Sequence, residues 1–107
     1  MDRDEKQFFI ELLKEMDFKS HNRLINAHTV AKNIGMDNQR VDNLLRQWWR
    51  IGFWDWDYSK SIEIGWFDLE YLDREHKEIY DKMIAIIKEF INNFTIEFIE
   101  GGCVKQC

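Results

Sequence analysis

The chain has 107 residues, of which 45% are apolar and 15% aromatic, and its formal net charge at pH 7 is −5. This length predicts a single domain, and the apolar content excludes a disordered chain. The longest apolar runs fall far short of the roughly 20 residues needed to cross a bilayer, and the charged beginning "MDRDEKQFF" lacks the order of a signal peptide. We therefore expect a soluble cytoplasmic protein.

The cysteines and the distribution of charge narrow the choice of partners. Cys103 and Cys107 have no histidine beside them, so a zinc site is not expected there. Residues 101–107 are predicted to form a flexible tail whose thiols are either free or bonded to the same tail of a partner chain.

Although the net charge of the chain is negative, residues 19–50 form a basic segment. This segment contains two acidic residues and six basic ones: Lys19, Arg23, Lys32, Arg40, Arg46 and Arg50. Residues 53–70 are, by contrast, mainly acidic.

Two amphipathic helices are predicted at the start of the chain. Apolar residues recur at helical spacing over residues 4–17, with acidic residues in the first turn. A second, short helix is expected over residues 27–34. Asn26 is a suitable N-cap for it, and Gly35 is placed to end it.

A third helix is predicted over residues 37–50. Asp37 can cap its N-terminus, and apolar residues recur at three- and four-residue intervals along one side. Trp48 lies on this apolar stripe and is expected in the core. Trp49 faces away from the stripe, which leaves two interpretations open: a subunit contact, or a lid that packs under the segment that follows.

Residues 54–66 alternate in the manner of β-strands. "FWDWDY" and "SIEIGW" each place every second residue on the same face, and "YSKS" between them is a polar turn, which predicts a two-stranded hairpin. Asp55 and Asp57 then face away from the apolar side. We expect that apolar side to pack through cross-strand pairs made by Trp54, Trp56, Tyr58, Ile62, Ile64 and Trp66.

A long helix is predicted over residues 73–94. Its apolar residues cover about half of the helix circumference. A face this broad usually packs against two partners, which we expect to be the rest of its own domain and another subunit. Residues 95–100 fit either an extension of this helix or a strand. The residues predicted to hold a homodimer together are Ile79, Met83, Ile86, Ile87, Phe90 and Phe94.

The order helix, helix, turn, helix, hairpin, helix resembles a winged helix-turn-helix domain. Residues 29–54, "TVAKNIGMDNQRVDNLLRQWWRIGFW", are similar to the core of bacterial and archaeal transcription regulators, including the multiple-antibiotic-resistance-regulator and arsenic-repressor types. Ala31 stands where a small residue permits close helix crossing, a glycine lies in the turn, and Asp37 stands at the cap. The resemblance implies a mainly α fold with a small β-hairpin, of the α+β class. Residues 1–72 would form the winged domain, and residues 73–100 a dimerisation helix in the same structural unit.

The resemblance also implies that the N-terminal half of helix 37–50 enters the major groove of double-stranded DNA. Arginine can bind both major-groove acceptors of guanine, and asparagine or glutamine can bind adenine in the same way. Asp42 would repel phosphate unless it pairs with Arg46, four residues on. The hairpin departs from the pattern because Lys60 is its only basic residue. The residues implied to contact DNA are Asn38, Gln39, Arg40, Asn43, Arg46, Gln47 and Lys60.

We therefore expect a homodimeric transcription regulator of bacterial, archaeal or viral origin, with two alternatives. One is a protein-interaction module without DNA binding, which the acidic hairpin favours. The other is a repressor that responds to a small-molecule effector bound near Trp49. No enzymatic activity, metal or cofactor is expected, because the three histidines, His21, His28 and His76, are far apart in the sequence and no phosphate-binding or nucleophile motif occurs.

Overall fold

The structure is a computed structural model that describes residues 1–15, 24–90, 94–97 and 103–106. The described elements are α1 (Arg3–Glu15), β1 (Ile25–Asn26), α2 (Ala27–Asn33), α3 (Asn38–Arg50), β2 (Trp54–Trp56), β3 (Ile64–Phe67), α4 (Leu69–Glu75), α5 (Lys77–Phe90), β4 (Phe94–Glu97) and β5 (Cys103–Gln106). The predicted α+β class, mainly helical with a small antiparallel sheet, is confirmed. None of the described helices combines the length and the apolar content needed to cross a lipid bilayer. Predictions that concern His21, the end of the first helix and the thiol of Cys107 lie outside the described residues.

Local signals place α2 and α3 as predicted. The side chain of Asn26 accepts hydrogen bonds from backbone N–H groups in the first turn of α2, at 3.1 and 3.3 Å, and Asp37 does the same for α3 at the same two distances. Gly35, in the turn between the two helices, has a φ of +73°, a left-handed conformation that glycine adopts without strain. These three residues confirm the predicted caps and the predicted end of α2.

β1, β3 and β2 form a three-stranded antiparallel sheet with β3 in the centre. The residues paired between β2 and β3 are Trp54 with Phe67, Asp55 with Trp66, and Trp56 with Gly65. Because directly paired residues share a face, the prediction that Trp66 shares a face with Trp54 is wrong. β3 begins only at Ile64, and the residue that packs against Trp54 is Phe67, which is 2% exposed.

An aromatic cluster joins α1 and α3 to the sheet. Trp48, confirmed as a core residue at 3% exposure, stacks on Phe8 of α1 with ring centroids 5.9 Å apart. Phe53 and Phe67 stack on each other at 4.6 Å, and each lies 5.5 Å from Trp48. Phe9 meets Phe53 and Phe67 edge to face. Offset-stacked and edge-to-face geometries are the favourable ones for aromatic pairs, so this cluster fixes the position of α3 against the sheet.

The single long helix predicted over residues 73–94 is wrong. The segment folds as two helices, α4 and α5, separated at His76, whose φ of −139° and ψ of 60° are not helical. His76 ends α4 by donating its backbone N–H to the carbonyl oxygen of Leu72, at 2.8 Å. Asp68 caps α4, which therefore begins at Leu69, four residues before the predicted start at residue 73. Phe94 lies in β4 and not in a helix.

The C-terminal residues 103–106 were predicted to belong to a flexible tail. In the structure they form β5, which pairs antiparallel with β4 from Phe94 opposite Gln106 to Glu97 opposite Cys103. Of the two interpretations of residues 95–100, the strand therefore holds for residues 95–97.

The close approach of β2 to β3 yields a stability prediction. A Cβ atom on Gly65 would overlap the carbonyl oxygen of Asp55 and press on the indole of Trp54. Overpacking of this kind typically costs about 1–3 kcal/mol, and we expect Gly65→Ala to fall at the upper end of that range because the closest atom belongs to the backbone. The measurement is the free energy of unfolding from urea titration.

Gly35→Ala is the matched control, because its Cβ would meet no atom within 4 Å and only the positive φ opposes it. That conformation costs an L-residue about 1–2 kcal/mol. If Gly65→Ala proves no more destabilising than Gly35→Ala, the tight pairing of β2 and β3 is wrong.

Candidate functional site

The outer face of α3 is polar, and most of the residues predicted on it are exposed. Gln39, Asn43, Arg46 and Gln47 lie on one side of the helix at spacings of three and four residues, and Asn38 is exposed beside them. Arg50 extends the same stripe by one turn, although it was not among the predicted contact residues. The face carries amide and guanidinium groups, and the one carboxylate beside them is that of Asp42, four residues before Arg46.

Arg40, at the N-terminal end of this face, is already engaged by α1. Its Nη2 atom lies 2.5 Å from Oδ2 of Asp2 and 3.9 Å from Oε1 of Glu5, and its Nη1 atom lies 3.4 Å from Oδ2 of Asp4. Partial desolvation opposes the charge of the guanidinium, but the three carboxylates outweigh it and raise the pKa of Arg40 above its ordinary value. A hydrogen bond from the backbone N–H of Glu5, and then the charge of Arg40, lower the pKa of Asp2.

The charge around the N-terminal end of α3 is negative, because three carboxylates surround the single guanidinium of Arg40. A groove of about 320 Å³ runs along this end of the helix, and it is lined by Glu5, Asp37, Gln39, Arg40, Asn43, Leu44 and Gln47. Its one cation is the guanidinium that the carboxylates of α1 hold. A phosphate approaching this groove would therefore meet more negative than positive charge.

The opposite end of the same helix faces a second groove. This groove, of about 380 Å³, separates the last turns of α3 from the loop between β2 and β3, and it is lined by Asp42, Arg46, Trp49, Arg50, Trp56, Lys60, Ser61, Ile62 and Glu63. Arg46 and Arg50 form no ion pair with any described residue. Lys60 is exposed, and its nearest carboxylate is that of Asp57, at 3.8 Å. Three cations thus surround one concave surface: Arg46 and Arg50 without an ion pair to any described residue, and Lys60 in a long ion pair with Asp57.

Two carboxylates line the same groove, and both lie near the ring of His28, which is within hydrogen-bond distance of one of them. Nε2 of His28 lies 2.6 Å from Oδ1 of Asp42, and Nδ1 lies 3.8 Å from Oε1 of Glu63. Asp42 thus contacts α2 and forms no ion pair with Arg46, so the condition under which it would not repel a phosphate is not met. Burial alone would raise the pKa of Glu63, but hydrogen bonds from Ser61 and from its own backbone N–H, together with His28, lower it.

His28, Asp42 and Glu63 also form the one group of potential metal ligands among the described residues, with ligand atoms within 4.8 Å of one another. The two carboxylates, however, approach different nitrogens of the ring. The geometry is that of an imidazole held between two acids, which joins α2, α3 and the loop before β3.

Aromatic side chains form the rim of the groove. Trp49 donates a hydrogen bond from Nε1 to the hydroxyl of Tyr58 at 3.2 Å, and its ring meets Trp56 edge to face at 6.2 Å. Of the two interpretations left open by the sequence, the structure shows Trp49 packed under the hairpin. Trp49 nevertheless keeps 42% of its surface exposed, and Tyr58 keeps 66%.

The predicted dimerisation residues do not share one exposed face. Met83, Ile86 and Ile87 are buried in the core of their own chain, at 7%, 9% and 0% exposure. Ile79 and Phe90 are half-buried against that core. This accounts for the breadth of the apolar face of α5, much of which is used within the chain.

The arrangement as a whole brings cations, amides and aromatic rings together around the C-terminal half of α3. Its chemistry suits the binding of an anionic ligand with planar groups. No protein family, curated protein or solved structure matches the chain.

The environment of Glu63 generates a prediction about pH. Ser61 donates a hydrogen bond from Oγ to Oε1 of Glu63 at 2.7 Å, and this bond is one cause of the lowered pKa. A carboxylate with a lowered pKa in the folded state contributes stability above its unfolded pKa and loses that contribution as the pH falls through its folded pKa. Ser61→Ala should therefore cost about 1 kcal/mol at neutral pH.

The cost should shrink as the pH falls below 4.5, the ordinary value for glutamate. The measurement is the free energy of unfolding of both proteins between neutral and acidic pH. A cost that stays constant across this range would show that the Ser61 hydroxyl does not act through the ionised form of Glu63.

Proposed function

We propose that this chain is a winged helix-turn-helix protein that binds double-stranded DNA through α3 and the loop between β2 and β3. The order of the elements supports the proposal. α2 and α3 are joined by a tight turn at Gly35, and a hairpin follows α3 directly. α3 has 13 residues and is about 20 Å long, and the major groove of DNA admits a helix of this kind.

The observation that carries the proposal is the cluster of three cations at one end of α3, of which Arg46 and Arg50 form no ion pair with any described residue. Arg46 and Arg50 project from the helix and Lys60 from the facing loop, and all three line a single groove. Phosphate contacts from Lys and Arg supply most of the affinity of a protein for DNA. Asn43 and Gln47, exposed beside the arginines, have the chemistry to read adenine in the major groove.

The charges also decide which half of α3 approaches the duplex. The resemblance implied the N-terminal half, but there Arg40 is occupied by Asp2 and Asp4. We therefore propose that the C-terminal half of the helix makes the closest phosphate contacts. Gln39 and Arg40 would then lie at the edge of the interface.

We further propose that the protein acts as a homodimeric transcription regulator. A dimer would read two half-sites about one helical turn apart and would double the number of phosphate contacts. Because Met83, Ile86 and Ile87 serve the core of the chain, the interface on α5 would depend on Ile79 and Phe90.

The DNA-binding proposal is tested by removing the two available arginines. Arg46→Ala combined with Arg50→Ala should lower the affinity for a DNA duplex by about tenfold or more, and should reduce the salt slope by about 1 for each phosphate that is no longer bound. Both side chains are exposed, so the fold should be preserved. The measurement is fluorescence anisotropy with labelled duplex at several salt concentrations.

Lys82→Ala combined with Lys88→Ala is the matched control, since it removes the same charge from exposed positions of α5. Arg40→Ala should weaken binding less than the Arg46 and Arg50 variant does. Equal effects in the α3 and α5 variants would mean that the net charge, and not this groove, governs binding.

The dimer makes a separate prediction. Light scattering in the presence of reductant should give twice the chain mass of 13.1 kDa. Phe90→Asp should return the protein to a monomer, because a charge at a half-buried apolar contact is costly to bury. Glu89→Gln, on the neighbouring exposed position, should leave the mass unchanged. A monomeric mass for the unmodified chain would reject the homodimer.

A protein-interaction module is the second candidate, and one observation favours it. The carboxylates around Arg40, together with Asp55 and Asp57 on the hairpin, give much of this side of the molecule an acidic character. Under this alternative, no duplex from genomic DNA would be retarded in an electrophoretic shift assay at low salt.

A further inference from the structure

Three aromatic side chains meet at the edge of the groove between α3 and the β2–β3 loop. Trp56 contacts both of the others edge to face, with its ring centroid 6.2 Å from that of Trp49 and 4.6 Å from that of Tyr58. Trp49 and Tyr58 are the only large aromatic side chains among the described residues that the structure exposes strongly. The hydrogen bond between them fixes the orientation of the two rings.

The rings border cations on one side and carboxylates on the other. Trp49 lines the groove that contains Arg46, Arg50 and Lys60, and it also lines a second, shallower groove that contains Asp55, Asp68 and Tyr71. A polyanion lying across Trp49 would therefore place its phosphates on the arginine side. In that groove, Asp42 and Glu63 oppose a phosphate; His28 lies 2.6 Å from Asp42 and 3.8 Å from Glu63.

A double helix does not explain exposed rings at this position. Away from its two ends its bases are stacked on one another, so it offers phosphates, sugars and base edges, and no base face for a ring to cover. A base that is not paired can stack on an aromatic side chain, and proteins that bind single strands combine such rings with a positively charged groove.

We infer that this surface binds an unpaired nucleotide at the end of a DNA duplex, or in a single strand that continues from it. The unpaired base stacks on Trp49, with Tyr58 beside it. Arg46, Arg50 and Lys60 contact the phosphates next to that base. This inference rests on the proposed function and adds a substrate class to it: duplex DNA that carries an unpaired extension.

The experiment compares a short blunt duplex with the same duplex extended by a few unpaired nucleotides on either strand. Anisotropy should show that the unmodified chain binds one of the extended duplexes about fivefold or more tightly than the blunt one, since stacking of one base on an aromatic side chain contributes about this factor. Trp49→Ala should remove the increase in affinity, so that the variant binds the extended and the blunt duplex equally. Trp49→Phe, which keeps a ring, should retain most of the increase.

A second readout follows the base itself. 2-Aminopurine at the first unpaired position should lose fluorescence on binding the unmodified chain and should lose little on binding Trp49→Ala. Tyr58→Phe keeps the ring and removes the hydroxyl that accepts the hydrogen bond from Trp49. If this variant still quenches the 2-aminopurine, the quenching comes from stacking on the ring and does not need that hydrogen bond. Leu24→Ala is the control, because Leu24 has the same 42% exposure as Trp49.

The outcomes separate this inference from the proposed function. If the extension adds no affinity, or if Trp49→Ala weakens blunt and extended duplexes equally, the inference is overturned while duplex binding stands. If extended duplexes bind through Trp49 and no blunt duplex binds, the inference holds and the proposed function fails. If an acidic peptide displaces the extended DNA and binds with equal affinity, the groove is a protein-binding surface and the inference is overturned.

Discussion

The packing of Trp48 is the interaction on which the rest of the structure depends. Its ring contacts Phe8 of α1 and the two stacked rings of Phe53 and Phe67, and so joins α3 to both neighbouring layers. Truncating a buried tryptophan to alanine costs about 3–5 kcal/mol, a large part of the stability of a domain of this size. The outer face of α3 is presented in a defined direction only because the inner face is held in this way. The position of every candidate contact residue follows from this packing.

Charge divides α3 into two unlike halves, although the chain is acidic as a whole. At one end the carboxylates of Asp2 and Asp4 occupy Arg40, and at the other end Arg46 and Arg50 have no carboxylate partner among the described residues. Asp42, beside these arginines, contacts His28 of α2 instead. The net charge of the sequence is therefore a poor guide to what this surface attracts. The local pairing of charges decides it.

The parts of the fold that depend on neighbouring residues could be predicted from the sequence, and the parts that depend on distant ones could not. Asn26 and Asp37 each accept hydrogen bonds from N–H groups two and three residues later, so the sequence alone indicates that they cap helices. The hairpin face was misassigned because an alternating pattern does not reveal where the loop ends, and Phe67 pairs where Trp66 was expected. The partners of Arg40 lie more than thirty residues earlier in the chain, and only the acidic beginning of α1 hinted at them. The neighbours of His28 were equally hard to predict, because Asp42 and Glu63 lie 14 and 35 residues later in the chain.

The loop between β2 and β3 is anchored at its base and open at its tip. The indole N–H of Trp54 donates to the carbonyl oxygen of Ile62 at 2.8 Å, and the backbone N–H of Asp57 donates to that of Ile64 at 3.0 Å. Ser59 and Lys60, between these anchors, are exposed. Insertions or replacements at these two positions would leave the strand register intact, since exposed loop tips tolerate such changes. The ligand preference of the surface can thus diverge during evolution without loss of the scaffold.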